Sequence, residues 1–251
     1  MLLQGHVALI TGSGRNIGAS IARSFAREGA DIVVNVRSSV AEGEETVRAV
    51  RALGRKATLI VADVTDSRQV RAMAEQAARE LGVIDILVNS AGGYGKLTGV
   101  EELPVDDWDR TVTLNLRGTF LMCKRAIPYL KKSKAGRIIN VSSISGRTLF
   151  GSTSPAYAAS KAGVIQLTRF LAIELGPSGI TSNSIAPITT LTPRVKALRT
   201  EANIQQIASQ IPLRRLPDPE DHANAMVFLA SDAAAYLNGV SLDINGGRIL
   251  M

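Results

Sequence analysis

Short runs rich in valine, isoleucine and leucine alternate with amphipathic helical stretches along the whole chain, and this alternation limits its possible folds more than any other feature. Strands are expected at 6–10, 31–36, 57–61, 85–88, 137–141, 181–185 and 240–244. Helices are expected between them at 17–27, 41–53, 67–81, 107–131, 156–175 and 220–229. A strand that rejoins its sheet through a helix runs parallel to its predecessor, because the crossover returns the chain to the same end. The pattern predicts an α/β fold: a doubly wound parallel sheet with helices on both faces. No linker, repeat or low-complexity segment divides the chain, so residues 1–251 are expected to form a single domain. Ligands in such a fold bind beyond the carboxyl ends of the strands. Function is therefore sought in the residues that follow each strand.

Composition removes several classes of function. With 45% hydrophobic and 20% charged residues, the chain has the make-up of a packed globule rather than a disordered segment. Cys123 is the only cysteine, so neither an intrachain disulfide nor a Cys/His metal cluster can be drawn, and no metal is expected. Residues 1–6 lack a basic region and a cleavage site, and no apolar run approaches the ~20 residues that span a bilayer. A cytoplasmic protein with no membrane partner is expected. The net charge of +7 invites a nucleic-acid reading. Its positives are scattered, however (Arg48, Arg51, Arg55, Lys56; Lys131, Lys132, Lys134, Arg137; Arg214, Arg215), and no aromatic side chains alternate with them as stacking platforms. No nucleic-acid partner is expected.

Two motifs carry chemistry. Thr11-Gly12-Ser13-Gly14-Arg15-Asn16-Ile17-Gly18 lies between the first strand and the first helix. Glycines there permit a tight turn and the close approach of a pyrophosphate to the positive end of the helix. Tyr157-Ala158-Ala159-Ser160-Lys161 puts a phenol and an ammonium one helical turn apart on one face. A phenol with a pKa of about 10 is a sluggish acid, and a neighbouring cation lowers that value. Such a pair can exchange a proton with a substrate oxygen.

The two motifs together resemble the Thr-Gly-x-x-x-Gly-x-Gly and Tyr-x-x-x-Lys of the short-chain dehydrogenase/reductase family, whose fold is a Rossmann-type sheet. Asn16 replaces the middle glycine, and asparagine tolerates left-handed backbone well among non-glycine residues. The resemblance implies that Gly12, Ser13, Gly14, Arg15, Asn16, Ile17 and Gly18 cradle a dinucleotide. It also implies that Asp63 and Val64 meet the adenine, and that Asn89, Ala91 and Gly92 of Asn89-Ser90-Ala91-Gly92 flank the cofactor. Asn183-Ser184-Ile185-Ala186-Pro187 resembles the segment beside the nicotinamide. Pro187, Ile188 (for the usual glycine) and Thr192 are the cofactor-binding residues there. Asn245-Gly246-Gly247 stands for the common Asp-Gly-Gly, and Pro219-Glu220-Asp221 opens the last helix.

The catalytic set implied is Asn115, Ser143, Tyr157 and Lys161. Ser143 lies three residues before Gly146, as the family pattern asks, while its one-residue-longer spacing to Tyr157 leaves Ser142 as an alternative. Lys161 would lower the phenol's pKa and hold the nicotinamide ribose, and Asn115 would anchor a water that connects Lys161 to solvent. Asn115 falls inside a long helix, where asparagine has a poor propensity, so a role beyond packing or a kink is expected. A carboxylate at the end of the second strand would grip the ribose hydroxyls of NAD. This chain has Arg37, Ser38 and Ser39 there, faced by Arg15 and with no carboxylate, which suits a 2′-phosphate. NADP(H) is therefore expected in preference to NAD(H).

The expected activity is NADPH-dependent reduction of a ketone to a secondary alcohol, reversibly. Within the family, 3-oxoacyl-acyl-carrier-protein reductase is the alternative substrate reading, with an acidic acyl carrier protein as a possible partner for the basic surface. Pro128 and Ser178 depart from the arginines those enzymes commonly offer to the carrier. The segment 189–211 is the expected substrate loop, with Leu191, Val195, Leu198 and Ile204 beside Arg194, Lys196 and Arg199. A catalytically idle dinucleotide sensor has no need of the intact set. The resemblance further implies a homotetramer built on the two long helices and the last strand. His6 and His222 read as surface or capping residues, and Trp108 and Phe120 as core.

Overall fold

The computed structural model describes residues 1–148 and 153–250. Seven strands form one parallel sheet: β1 (Val7–Ile10), β2 (Asp31–Val36), β3 (Ala57–Val61), β4 (Ile86–Asn89), β5 (Arg137–Val141), β6 (Thr181–Pro187) and β7 (Ser241–Ile244). Their order across the sheet is β3-β2-β1-β4-β5-β6-β7. The chain first winds outward from β1 to β3, then crosses back so that β4 pairs with the other side of β1. The loops after β1 and β4 therefore part in opposite directions and leave a crevice at the carboxyl edge.

Among the described residues nine α-helices accompany these strands: α1 (Asn16–Arg27), α2 (Val40–Ala52), α3 (Ser67–Leu81), α4 (Val105–Val112), α5 (Gly118–Leu130), α6 (Pro155–Leu175), α7 (Pro193–Leu198), α8 (Glu201–Ser209) and α9 (Pro219–Ala230). Side chains alternate between the two faces of a strand. Ala8, Ile10, Ile32, Val34, Ile86 and Val88 accordingly join one buried cluster with Ile21, Phe25 and Met226 of α1 and α9. Val7, Leu9, Val33 and Leu87 join the other, with Met73, Met122 and Leu171 of α3, α5 and α6. A third, smaller cluster (Ile144, Ile188, Ile211, Leu216) seats the segment 189–211 against the carboxyl edge of the sheet.

Three details depart from the sequence reading. The helix expected at 107–131 is broken by a π-helical turn at Thr113–Arg117, where the Gly118 amide donates to the carbonyl of Thr113. Trp108 and Phe120 are 38% and 46% exposed, so the α4–α5 surface presents them outward rather than burying them in the core. The expected substrate loop contains α7 and α8, whose starts are fixed by Thr192 and Thr200, hydroxyl N-caps accepting from Val195 and Asn203 amides. Pro219 opens α9 as expected, behind an Asp218/Asp221 capping box. No helix among the described residues is long and apolar enough to cross a membrane.

Candidate active site

Along the carboxyl edge runs one cleft of about 970 Å³ that takes in the loops after β1, β2, β3, β4, β5 and β6. Eighteen of the expected site residues lie on its wall: Gly12, Gly14, Arg15, Asn16, Ile17, Gly18, Arg37, Ser38, Asp63, Val64, Ala91, Gly92, Ser143, Tyr157, Lys161, Pro187, Ile188 and Thr192.

The glycine loop is packed too closely on itself and on the loop after β4 to admit side chains at Gly12 and Gly18. Gly12 has φ +63°, and a Cβ on it would stand 2.9 Å from Ala91 Cα. A Cβ on Gly18 would meet the Gly12 carbonyl oxygen at 2.3 Å. Asn16 takes φ +52°, so the left-handed turn survives without the usual glycine. The loop ends at the N-terminus of the 12-residue helix α1, where unsatisfied amides and the helix dipole favour an anion. These residues fit a dinucleotide diphosphate. Asn35, which sequence reasoning missed, ties the loop down from beneath. Its Oδ1 accepts from Gly12 N at 3.3 Å, while Nδ2 donates to the carbonyls of Ile60 and Ala62. A buried asparagine in an otherwise apolar strand was the available signal.

Two expected cofactor contacts are corrected. Ser13 is fully buried and its hydroxyl donates to Ile10 O at 2.7 Å, so it braces the turn from inside instead of facing a ligand. Asn89 is likewise buried and spends its amide on Asn140 Oδ1 (2.8 Å) and Cys123 Sγ (3.3 Å). Asp63 lines the cleft and also closes its own turn, accepting from Thr65 N and Oγ1. The strand end itself carries no carboxylate, but one approaches it from the next helix. Glu42, on the first turn of α2, lines the cleft with Oε1 3.5 Å from Arg15 Nη1. Its distance in sequence from the strand end hid it.

The chemistry-bearing side chains meet around Tyr157. α6 starts with Pro155 at its first turn and carries Tyr157 and Lys161 inward, both nearly fully buried. Ser143 follows β5 and hydrogen-bonds Tyr157, while its Oγ also accepts from Ser145 N at 3.2 Å. Ser142 points the other way and donates to the carbonyl of Lys161 at 2.9 Å. Of the two serines, Ser143 is the one on the Tyr157 side, and Ser142 is committed to the helix backbone. Lys161 Nζ sits 5.6 Å from the Tyr157 ring centre and donates to Val141 O at 2.7 Å. Burial lowers this amine to about 8. Burial, reinforced by Tyr94, pushes the Tyr157 phenol above its ordinary value. The lowering expected from Lys161 is not found: desolvation penalises phenolate, and the amine is turned toward a carbonyl.

Tyr94 was not anticipated. Its ring lies 4.5 Å from that of Tyr157, and the two hydroxyl-bearing side chains are hydrogen-bonded. An aromatic residue set in Gly92-Gly93-Tyr94-Gly95 just after a strand was a readable signal. Asn115 is fully buried at the centre of the π turn, behind the cleft wall. Its side chain accepts from Gly93 N (3.1 Å) and donates to the carbonyls of Gly93 and Thr111 (both 2.9 Å), fixing the Tyr94 loop. A Cβ on Gly92 would meet Asn115 Oδ1 at 2.7 Å and Lys161 Nζ at 3.4 Å, so these groups crowd one point.

His222 is corrected as well: it is completely buried, with Nε2 2.8 Å from Thr190 Oγ1 on the loop after β6. That hydroxyl donates to Ile188 O at 3.1 Å, so the histidine carries its proton on Nε2 and donates to Thr190. Ile188, standing for a glycine, packs with Ile144, Ile211 and Leu216 while still touching the cleft. The departure fills the floor of the loop with apolar volume.

The comparisons agree with this geometry. Residues 12–248 match the family described as enoyl-(acyl carrier protein) reductase. The 3-oxoacyl-[acyl-carrier-protein] reductase FabG of Staphylococcus aureus is 38% identical over 244 residues, 97% of this chain and 98% of that protein. The cis-4-hydroxycyclohexanecarboxylate dehydrogenase of Sinomonas cyclohexanicum is 40% identical, covering 96% of each chain. The D-threitol dehydrogenase of Mycolicibacterium smegmatis is 41% identical over 98% of this chain and 93% of that one. Among solved structures, a short-chain dehydrogenase/reductase from Serratia marcescens superposes with TM-score 0.93 at 33% identity, covering 99% of each chain. Carveol dehydrogenase from Mycobacterium avium, in complex with NAD, gives 0.93 at 29% identity and covers 100% of this chain and 99% of that one. A glycine loop on a parallel sheet, a Tyr157/Lys161 helix beside Ser143, and relatives matched end to end lead to one assignment: the chain is an oxidoreductase of the short-chain dehydrogenase/reductase family.

Proposed function

We propose that this chain interconverts a ketone and a secondary alcohol with NADP(H) as the preferred cofactor, Tyr157 acting as general acid in reduction and general base in the reverse direction. The observation that carries the reading is that Ser143, Tyr157 and Lys161 share one cleft wall with the glycine loop. Bound there, the nicotinamide supplies the hydride. Ser143 and Tyr157 hold the carbonyl oxygen and stabilise charge as it develops. A phenol held above its ordinary pKa is protonated at neutral pH and ready to donate. Lys161, lowered to about 8, changes charge close to working pH and resupplies that proton. Asn115 serves the relay by fixing Gly93 and the Tyr94 loop. Tyr94 stands on Tyr157 where a substrate oxygen must bind, so substrate entry displaces it.

Preference for the 2′-phosphate is supported by Arg15, Arg37 and Ser38 on the cleft wall, Arg37 having no partner among the described residues. The substrate end is lined by Tyr94, Leu97, Ile188, Val195, Leu198 and Arg199. Such a wall suits a mainly apolar ketone, and a 3-oxoacyl thioester delivered by an acyl carrier protein is the specific alternative. A homotetramer in the cytoplasm completes the proposal, supported by the apolar side chains that α4, α5 and α6 leave exposed.

A panel of 3-oxoacyl and 2-enoyl thioesters, cyclic ketones and sugar ketones, each with NADPH and NADH, tests the assignment. Tyr157→Phe is expected to lose ketone reduction by roughly 10²- to 10⁴-fold while nucleotide binding is kept. Unchanged turnover in that variant overturns the mechanism, and turnover of enoyl substrates alone overturns the reaction.

A further inference from the structure

Glu42 occupies the third position of α2, three residues beyond Ser39, where a carboxylate ordinarily turns back on its own helix cap. Here Ser39 makes no side-chain cap hydrogen bond, and Glu42 reaches across to the glycine loop instead. Oε1 lies 3.5 Å from Arg15 Nη1, while Oε2 is buried with no hydrogen-bond partner among the described residues. Helix propensity gives no reason to keep it so, since glutamine fits the same turn. Both Glu42 and Arg15 line the cleft, beside Arg37 and Ser38 at the end of β2.

We infer that Glu42 is a specificity-determining residue that sets how strongly the cleft distinguishes a 2′-phosphorylated nucleotide from one with a free 2′-hydroxyl. This rests on the cofactor reading above. One carboxylate oxygen holds the Arg15 guanidinium, so a 2′-phosphate must win that arginine from an existing partner. The other oxygen is withdrawn from the cleft and meets no donor, so the carboxylate acts on the nucleotide through Oε1 and Arg15. Glu42 thereby weakens the phosphorylated cofactor and favours the unphosphorylated one. The preference conferred by Arg15 and Arg37 is correspondingly narrow in the native chain.

Titration calorimetry of the intact protein with NADPH and NADH, without substrate, reads this directly. Glu42→Gln is expected to tighten NADPH about tenfold, equivalent to about 1.4 kcal/mol, with NADH unchanged or weaker. In an Arg15→Met background the same substitution is expected to have less than a twofold effect on NADPH, because its partner is gone. Equal shifts for the two nucleotides, or none, overturn the inference. So does a tightening that persists undiminished without Arg15, which would make Glu42 a simple repulsive charge. Failure of the native chain to bind either nucleotide removes the cofactor reading itself, and this inference with it.

Discussion

At the scale of single residues, Ser142 and Ser143 show how one backbone step separates two identical side chains. Extended backbone sends neighbours to opposite faces, so Ser142 is spent on the Lys161 carbonyl and Ser143 is left for the phenol. Ser143→Ala is expected to cut kcat by roughly 10²- to 10³-fold at unchanged melting temperature. Ser142→Ala is expected to retain kcat and lose about 1 kcal/mol of stability in a urea titration. His222 makes a prediction of its own. Burial holds the ring at about 4, whereas the unfolded chain titrates it near 6.5. Between those values the unfolded state binds more protons, so stability falls as pH drops through 6.5 and levels off below about 4. The loss amounts to about 3 kcal/mol at most. Denaturant midpoints measured from pH 7 to pH 4 should show it, and His222→Met should flatten that part of the curve. Sequence alone placed this residue at the surface because position in a first helical turn says nothing about what packs above it.

At the scale of elements, the strands were legible nearly to the residue, since apolar β-branched runs flanked by polar turns leave few other readings. The two helical surprises have physical causes. The π turn at Thr113–Arg117 adds a residue to a helix whose periodicity otherwise continues, and no composition signal marks an added residue apart from the ill-suited Asn115. Helix α8 folds because Ile204, Ile207 and Ala208 join a cluster with Ile144 and Ile249, partners far away in sequence, while α7 is started by the Thr192 cap. The glycine loop and Ser143 were picked out because each follows a strand, and Tyr157 and Lys161 because their spacing puts them on one helix face. Tyr94, Asn35 and Glu42 were missed because their roles exist only through pairing across loops. Gly146 shows how closely the elements are set: a Cβ there would lie 2.5 Å from the carbonyl carbon of Lys161. Gly146→Ala is therefore expected to move α6 off the turn after β5, lowering kcat at least tenfold. Its far-ultraviolet dichroism should match the native protein's.

At the scale of the molecule, apolar exposure is concentrated. Val105 and Trp108 on α4, Phe120 on α5, and Phe170 and Ile173 on α6 all face solvent, Ile173 at 80% exposure. These are side chains that the proposed tetramer would cover. Phe170→Glu with Ile173→Glu is expected to reduce the mass measured by light scattering from four copies to two or one. A native chain that is already monomeric would refute the tetramer. The strand order has a further consequence, for biosynthesis. β1, made first, ends inside the sheet between β2 and β4, and the five strands through β5 all precede α6. A ribosome thus releases every loop of the nucleotide-facing half before it has translated Tyr157. A nascent chain arrested ahead of α6 should therefore be retained by an adenine-nucleotide resin while still lacking the proton donor.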